Sequence, residues 1–155
     1  MTMTIVPAIT PADIAQARTL FLEYAAESKL DLCFQSFEEE LATLPGKYAP
    51  PGGRLLLANE ADITAGCGAL RELTEGACEM KRLFVRPAFR KQGVGRLLAG
   101  RLIEEARRIG HGTMRLDTLA TMRAARALYE SLGFRRIPAY YANPLAEVVY
   151  LELAL

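Results

Sequence analysis

Apolar residues recur along this chain at two spacings, and each switch of spacing marks an element. Residues 3–9 are β-branched and apolar enough for a first strand. At Thr10-Pro11-Ala12-Asp13 the pattern changes, and Ile14, Ala17, Phe21 and Tyr24 follow at helical intervals. Thr10 can cap that helix, Pro11 takes the tolerated first position, and Asp13 complements its positive end. Ser36-Phe37-Glu38-Glu39 reads as a capping box for a short second helix carrying Phe37, Leu41 and Leu44, which Pro45-Gly46 stops. Residues 48–53 are too rich in proline and glycine for regular structure. Three apolar runs follow, at 54–58, 63–73 and 77–85, with short turns between them, so they form an antiparallel meander. Gly66 and Gly68 in the middle run allow a bend or a close backbone approach. A long helix over 93–109 places Val94, Leu98, Leu102 and Ala106 on one stripe and ends at Gly110 and Gly112. A strand at 114–119, a helix at 122–132 with Ala125, Leu128 and Tyr129 on one face, and strands at 134–139 and 147–153 complete the chain.

The resulting order is β-α-α-β-β-β-α-β-α-β-β. The strand–helix–strand run over 77–85, 93–109 and 114–119 is a βαβ unit, whose crossover makes its two strands parallel. The expected fold is therefore α+β, a mixed, mostly antiparallel sheet flanked by helices. At 155 residues with no linker or internal repeat, residues 1–155 read as a single domain.

Composition narrows the function classes. Hydrophobic residues are 51% and charged residues 24%, which excludes a disordered chain. The net charge of +1 is a poor match for a dedicated nucleic-acid binder. It is unevenly spread: nine basic and two acidic residues between positions 81 and 108 give that segment +7 and leave −6 elsewhere. A local positive zone in a near-neutral protein suits a small anionic ligand better than a polyanion. Cys33, Cys67 and Cys78 are odd in number and lack a CxxC pair, which argues against a disulfide framework and a cysteine metal site. No metal and a cytoplasmic location are expected. No apolar run approaches the ~20 residues of a membrane span, and no secretory leader pattern opens the chain.

The stretch that carries chemistry is Arg90-Lys91-Gln92-Gly93-Val94-Gly95-Arg96, between a strand and a helix. Glycines there remove side chains where a ligand could approach the backbone. The unpaired N–H groups of the first helical turn, with the helix dipole, form an anion site suited to a pyrophosphate. Arg90, Lys91 and Arg96 add charge. No Gly-Lys-Ser/Thr follows, so this is not a Walker loop. Leu98 stands where the dinucleotide fingerprint needs a third glycine. The plainer alternative for the loop on its own is a glycine-eased helix start with solvated arginines.

Two segments together resemble the GNAT N-acetyltransferase superfamily. Arg90-x-x-Gly93-x-Gly95, preceded by Met80-Lys81-Arg82-Leu83-Phe84-Val85-Arg86-Pro87, looks like its coenzyme A loop and strand. Ala125-Arg126-Ala127-Leu128-Tyr129-Glu130-Ser131-Leu132-Gly133-Phe134 resembles its A-x-x-L-Y-x-x-x-G-F segment. The resemblance implies acetyl-CoA as acyl donor, held by the backbone of Leu83 and Val85 along the pantetheine arm. It implies that the N–H groups of Lys91, Gln92, Gly93, Val94, Gly95 and Arg96 hold the pyrophosphate beside Arg90. A splayed opening between two parallel strands would admit the arm. The N-terminal helices and the loop at 140–144 would shape the acceptor pocket. The family often has Asn where this chain has Met122, so that contact is absent or replaced, with Thr118 and Thr121 as substitutes. A homodimer is frequent among relatives.

The implied reaction moves an acetyl group to a primary amine, in a small molecule or peptide, by direct attack in a ternary complex. It needs an unprotonated amine, a stabilised carbonyl oxygen and a proton for the leaving thiolate. The resemblance places Tyr129 as the thiolate's proton donor, Glu79 as the base through a water, and the Val85 N–H as the oxyanion donor. The rival readings are a non-catalytic acyl-CoA-binding sensor and an interaction module using the basic zone. His111, between Gly110 and Gly112, reads as a helix C-terminal residue, and Cys33 as an unactivated thiol. Phe34, Phe37, Tyr48, Tyr140 and Tyr141 could line an acceptor pocket or simply pack. Asp31, Glu38, Glu39, Glu40 and Glu147 hint at a cationic acceptor.

Overall fold

Two glycines on one strand let a helix lie close against the sheet, and the rest of the architecture is organised about that contact. The computed structural model describes residues 2–28, 36–145 and 147–155. Its elements are β1 (Met3–Pro7), α1 (Pro11–Ser28), α2 (Phe37–Thr43), β2 (Arg54–Glu60), β3 (Ile63–Thr74), β4 (Ala77–Val85), α3 (Val94–Ile109), β5 (Thr113–Leu119), α4 (Arg123–Ser131), β6 (Arg135–Ile137) and β7 (Val148–Ala154). The α+β order expected from the sequence is the order observed. Among the described residues the strands form one seven-stranded sheet, β1-β2-β3-β4-β5-β7-β6. Only β4 and β5 run parallel.

The face carrying α3 buries Leu98, Leu102 and Ala106 against Leu56, Leu70, Met80, Met114 and Leu116. Gly66 and Gly68 of β3 lie under this helix. A Cβ on Gly66 would sit 2.6 Å from the Phe84 carbonyl oxygen, and one on Gly68 2.9 Å from Leu102 Cδ1. Close approach, not a bend, is what these glycines provide. The opposite face packs Ala17, Leu20 and Phe21 of α1 and the buried Tyr48 against Leu55, Leu57, Cys67 and Phe84.

The cap expected at Thr10 is made, and the one expected at Ser36 is not. The reciprocal box belongs to α1: Asp13 N–H donates to Thr10 Oγ1 at 3.1 Å, and Thr10 N–H reaches Asp13 Oδ2 at 3.4 Å. At α2, Ser36 is left-handed at φ 56° and its side chain makes no capping bond. The rotation of α2 is set instead by Glu40, its buried residue. The strand expected over 134–139 shortens to Arg135–Ile137, because Pro138 has no N–H to continue the ladder.

Two irregularities of β4 position the site. Pairing with β5 covers only Ala77–Glu79 against Thr113–Arg115, and beyond it the two strands diverge. Pairing with β3 slips by one residue between Cys67/Phe84 and Ala69/Lys81, which places a bulge at Arg82 and Leu83. Arg82 has φ 59° there and is buried. Its guanidinium donates to both Glu40 oxygens, at 2.8 and 3.1 Å, and lies 5.3 Å from the Phe37 ring centre. Burial raises the Glu40 carboxyl, but Arg82, through hydrogen bonds and charge, and Lys47 outweigh it and hold the group below its ordinary value. Thus α2 is bolted to the bulge from the sheet's other face.

Candidate functional site

The divergence of β4 from β5 leaves one edge of β4 without a strand partner. Arg86 N–H donates to Ala65 O at 2.8 Å, so by the two-residue period Phe84 also turns its backbone to β3. Leu83 and Val85 therefore direct their backbone groups into the gap. The Val85 carbonyl accepts from Arg90 Nε at 2.9 Å, while its N–H is turned to the gap.

That edge is one wall of a groove of about 540 Å³. Its floor is the loop leading into α3. Lys91 at φ 63° and Gly93 at φ 80° are both left-handed, and the first helical bond runs from Leu97 N–H to Gly93 O at 3.1 Å. The N–H groups of Val94, Gly95 and Arg96 precede it and have no helical acceptor. A Cβ on Gly93 would meet no protein atom within 4 Å. Space is thus kept open over the donors, a fit for a pyrophosphate. Arg90 and Lys91 line the groove, with Arg90 held at 2.6 Å by Glu27 of α1. Gln92 and Arg96 are not among the groove's lining residues: the Gln92 side chain turns to Ala88 O, and Arg96 donates to Ser131 Oγ at 2.7 Å.

The groove narrows into a cavity in the splay, lined by Met80, Lys81, Leu83, Leu116, Asp117 and Thr118 among others. Tyr24, Leu83, Met122, Ala125 and Tyr129 line both spaces, so the two adjoin across these side chains. Tyr129 is buried, with its ring edge-on to Phe134 at 5.7 Å. Burial drives its hydroxyl well above the usual phenol value, so it remains a proton donor at neutral pH. Met122 occupies the cap position of α4 without a capping bond, and its sulfur takes a contact from Thr118 Oγ1 at 3.6 Å. The Arg126 guanidinium reaches Ala120 O at 2.9 Å, tying α4 to the end of β5.

Glu79 lies on the other side of Lys81, in a separate cavity of about 400 Å³. Its carboxylate accepts from Arg71 Nε at 2.9 Å and Tyr140 Oη at 2.6 Å, with Lys81 Nζ at 3.8 Å. Burial raises this carboxyl, but Lys81, Tyr140 and Arg71 together hold it below the ordinary value, so it stays ionised. Lys81 is lowered to about 8, by burial first and Arg82 in addition, against the pull of Glu79. Tyr141 donates to Asp117 at 2.7 Å and Asn143 to Tyr141 at 2.8 Å, fixing the loop that closes this cavity.

The structure thus brings together the Leu83–Val85 edge, the 90–96 loop and Tyr129, and sets Glu79 on the neighbouring wall. Of the aromatic candidates, Tyr140 and Tyr141 line the cavity beside Glu79, Phe37 stacks on Arg82, and Phe34 lies outside the described residues. Cys33 and Asp31 also lie outside them. Cys67 and Cys78 are buried. His111 sits at the far end of α3, its Nε2 3.2 Å from Gly52 O. Glu40 is consumed by Arg82 and Lys47 and offers nothing to a cationic acceptor. Tyr24, Lys81 and Asp117 were not singled out from the sequence. The signal for Lys81 was its two-residue spacing from Glu79 on one strand face.

Residues 14–134 match the model of the acetyltransferase (GNAT) family. An uncharacterised N-acetyltransferase of Schizosaccharomyces pombe is 42% identical over 147 residues, covering 94% of this chain and 90% of that one. An acetyltransferase of Streptococcus agalactiae superposes with a TM-score of 0.81 at 24% identity, covering 99% of this chain and 98% of that one. A Salmonella typhimurium protein solved with its cofactor acetyl-CoA has the same fold, with a TM-score of 0.70 at 22% identity and coverage of 99% and 94%.

Proposed function

The chain belongs to the acetyltransferase (GNAT) family and is an acetyl-CoA-dependent N-acetyltransferase, and from that premise we propose that it acetylates a primary amine, in a small molecule or peptide, by direct attack in a ternary complex. The observation that carries this reading is that the groove adjoins the splay cavity, with Tyr129 in both walls.

The backbone of Leu83 and Val85 orients the pantetheine arm as an added strand, and the loop amides hold the pyrophosphate. The amine nitrogen attacks the thioester carbonyl carbon; the C–N bond forms and the C–S bond breaks. The Val85 N–H faces the carbonyl oxygen as charge develops on it. Tyr129 gives its proton to the departing thiolate. The amine's surplus proton leaves toward Glu79, through water or the Tyr140 hydroxyl that already donates to it. As a carboxylate held below its ordinary pKa, Glu79 relays that proton rather than storing it.

Release of free thiol from acetyl-CoA, followed with a panel of primary amines, tests the reading. Amine-dependent release with intersecting initial-rate lines is expected for a ternary complex. Parallel lines would point to a covalent acetyl-enzyme instead. Thiol release that ignores the amine would contradict amine acetylation.

A further inference from the structure

The cavity beside Glu79 is walled by cations. Lys47, Arg71, Lys81 and Arg115 line it, and Glu79 is the carboxylate among its described lining residues. Glu79 cannot balance them, because one of its oxygens serves Arg71 and Lys81 and the other Tyr140. Behind the wall, Glu40 backs Lys47 and Arg82, and Glu152 backs Arg115. Asp117 lies behind Tyr141, so among the described residues five cations face four carboxylates in and directly behind this wall, and the lining itself holds four cations against one carboxylate.

Sheet register fixes the arrangement. Arg71 of β3 and Arg115 of β5 are the cross-strand partners of Glu79, one on either side. Their backbones lie about two strand spacings apart, roughly 9–10 Å, with Glu79 between them and bonded to Arg71 Nε, so a ligand carboxylate would sit above Glu79, toward the free fork of Arg115 and the remaining donors of Arg71. Arg115 gives Nε to Glu152 at 2.9 Å, while its remaining N–H groups have no protein acceptor among the described residues. It is partly exposed and lies 5.8 Å from the Tyr140 ring centre, at the mouth of the cavity. A half-desolvated guanidinium with spare, fork-shaped donors is built for a carboxylate.

Resting on the N-acetyltransferase reading above, we propose that the acceptor is a small amine that itself carries a carboxylate, an amino acid in chemical class, with that carboxylate paired to Arg115 and Arg71. The same wall assists the chemistry. A positive surround favours the neutral amine over its ammonium, and the neutral amine is the nucleophile. A purely cationic polyamine would meet repulsion here. Of the acidic residues that hinted at a cationic acceptor, Glu40 is spent on Arg82 and Lys47, Glu38, Glu39 and Glu147 are not among the lining residues of this cavity, and Asp31 lies outside the described residues.

The test is thiol release from acetyl-CoA with matched acceptors: amino acids, their carboxamides, and the corresponding decarboxylated amines. A charge-assisted pair predicts kcat/KM about ten- to a hundred-fold higher for the carboxylate of each matched set. Arg115→Gln is expected to shrink that ratio toward one by raising KM for the carboxylate, while the stabilisation by acetyl-CoA persists. Arg71→Gln reads the same ratio should Arg115→Gln fail to fold. Equal turnover of carboxylates and carboxamides, or a ratio untouched in the folded variant, would overturn the proposal and leave the N-acetyltransferase reading standing. Thiol release with none of these amines, from protein that acetyl-CoA still stabilises, would overturn the amino-acid proposal, and release with peptide amines instead would leave the N-acetyltransferase reading standing.

Discussion

Replacing Glu40 with alanine is expected to destabilise the protein by about 3–5 kcal/mol, the cost of leaving a buried guanidinium unpaired. Glu40 and Arg82 side chains are each 3% exposed, so neither charge has water to fall back on. The loss goes beyond one ion pair. Arg82 holds a left-handed conformation at the β4 bulge, which ordinarily costs of order 1–3 kcal/mol and persists only when its surroundings impose it. Glu40 and the Phe37 ring are those surroundings. For a chain of this length the melting temperature should fall by on the order of 10 °C. Converting both residues to methionine should lose less than the two single changes summed, because no charge is then stranded. The pH dependence has a defined sign. The Glu40 pKa lies below its ordinary value of 4.5, so its contribution is fully present above about that pH and is lost as pH falls through the folded-state value. Glu40→Gln should flatten that acid limb. A urea midpoint for Glu40→Ala within about 1 kcal/mol of wild type would show that the pair does not hold the bulge.

Tyr129→Phe is expected to lower kcat by about a hundred-fold or more while leaving KM for acetyl-CoA and the melting temperature nearly unchanged. The ring is what packs, edge-on to Phe134, and the substitution keeps it. Only the hydroxyl at the junction of groove and splay is lost. Because burial raises the Tyr129 pKa, the proton stays available through the alkaline range, so no loss of rate from its ionisation is expected there. The acid limb of kcat/KM belongs to the acceptor amine, which must shed its proton before attack. An unchanged kcat in Tyr129→Phe would hand the thiolate's proton to water or to another group.

How much of this was legible in the sequence follows from how local each feature is. The anion loop was readable because backbone donors, glycines and flanking arginines are consecutive, at 90–96. The α3 stripe was readable because one period covers sixteen residues. Tyr129 came with its helix, on the apolar face of α4. The cap of α2 misled, since Ser36 and Glu39 have the right spacing but the helix rotates to bury Glu40 on Arg82, forty-two residues away. The cationic wall around Glu79 was illegible for the same reason. Arg71, Glu79 and Arg115 become neighbours only through strand register, and Tyr140 joins them from a loop sixty-one residues beyond Glu79. Charges read singly along the chain pointed to a cationic acceptor; paired in space, they leave a positive wall.

The central claim is that acetyl-CoA sits on the loop before α3 and along the freed edge of β4. Thermal unfolding of wild type and Gly95→Glu, each with and without acetyl-CoA, tests it most directly. A Cβ at Gly95 meets Leu128 Cδ2 at 3.5 Å and Val85 Cγ2 at 3.7 Å, ordinary contacts, so the variant should fold. An acidic residue in the first turn also suits the helix dipole. Its carboxylate would, however, project among the donors meant for the pyrophosphate. At a hundredfold excess over Kd, a ligand confined to the native state stabilises by about 2.7 kcal/mol. A rise in wild type of roughly 5–10 °C that disappears in Gly95→Glu is the expected result. No rise in wild type at saturating acetyl-CoA, or an equal rise in both proteins, would contradict it.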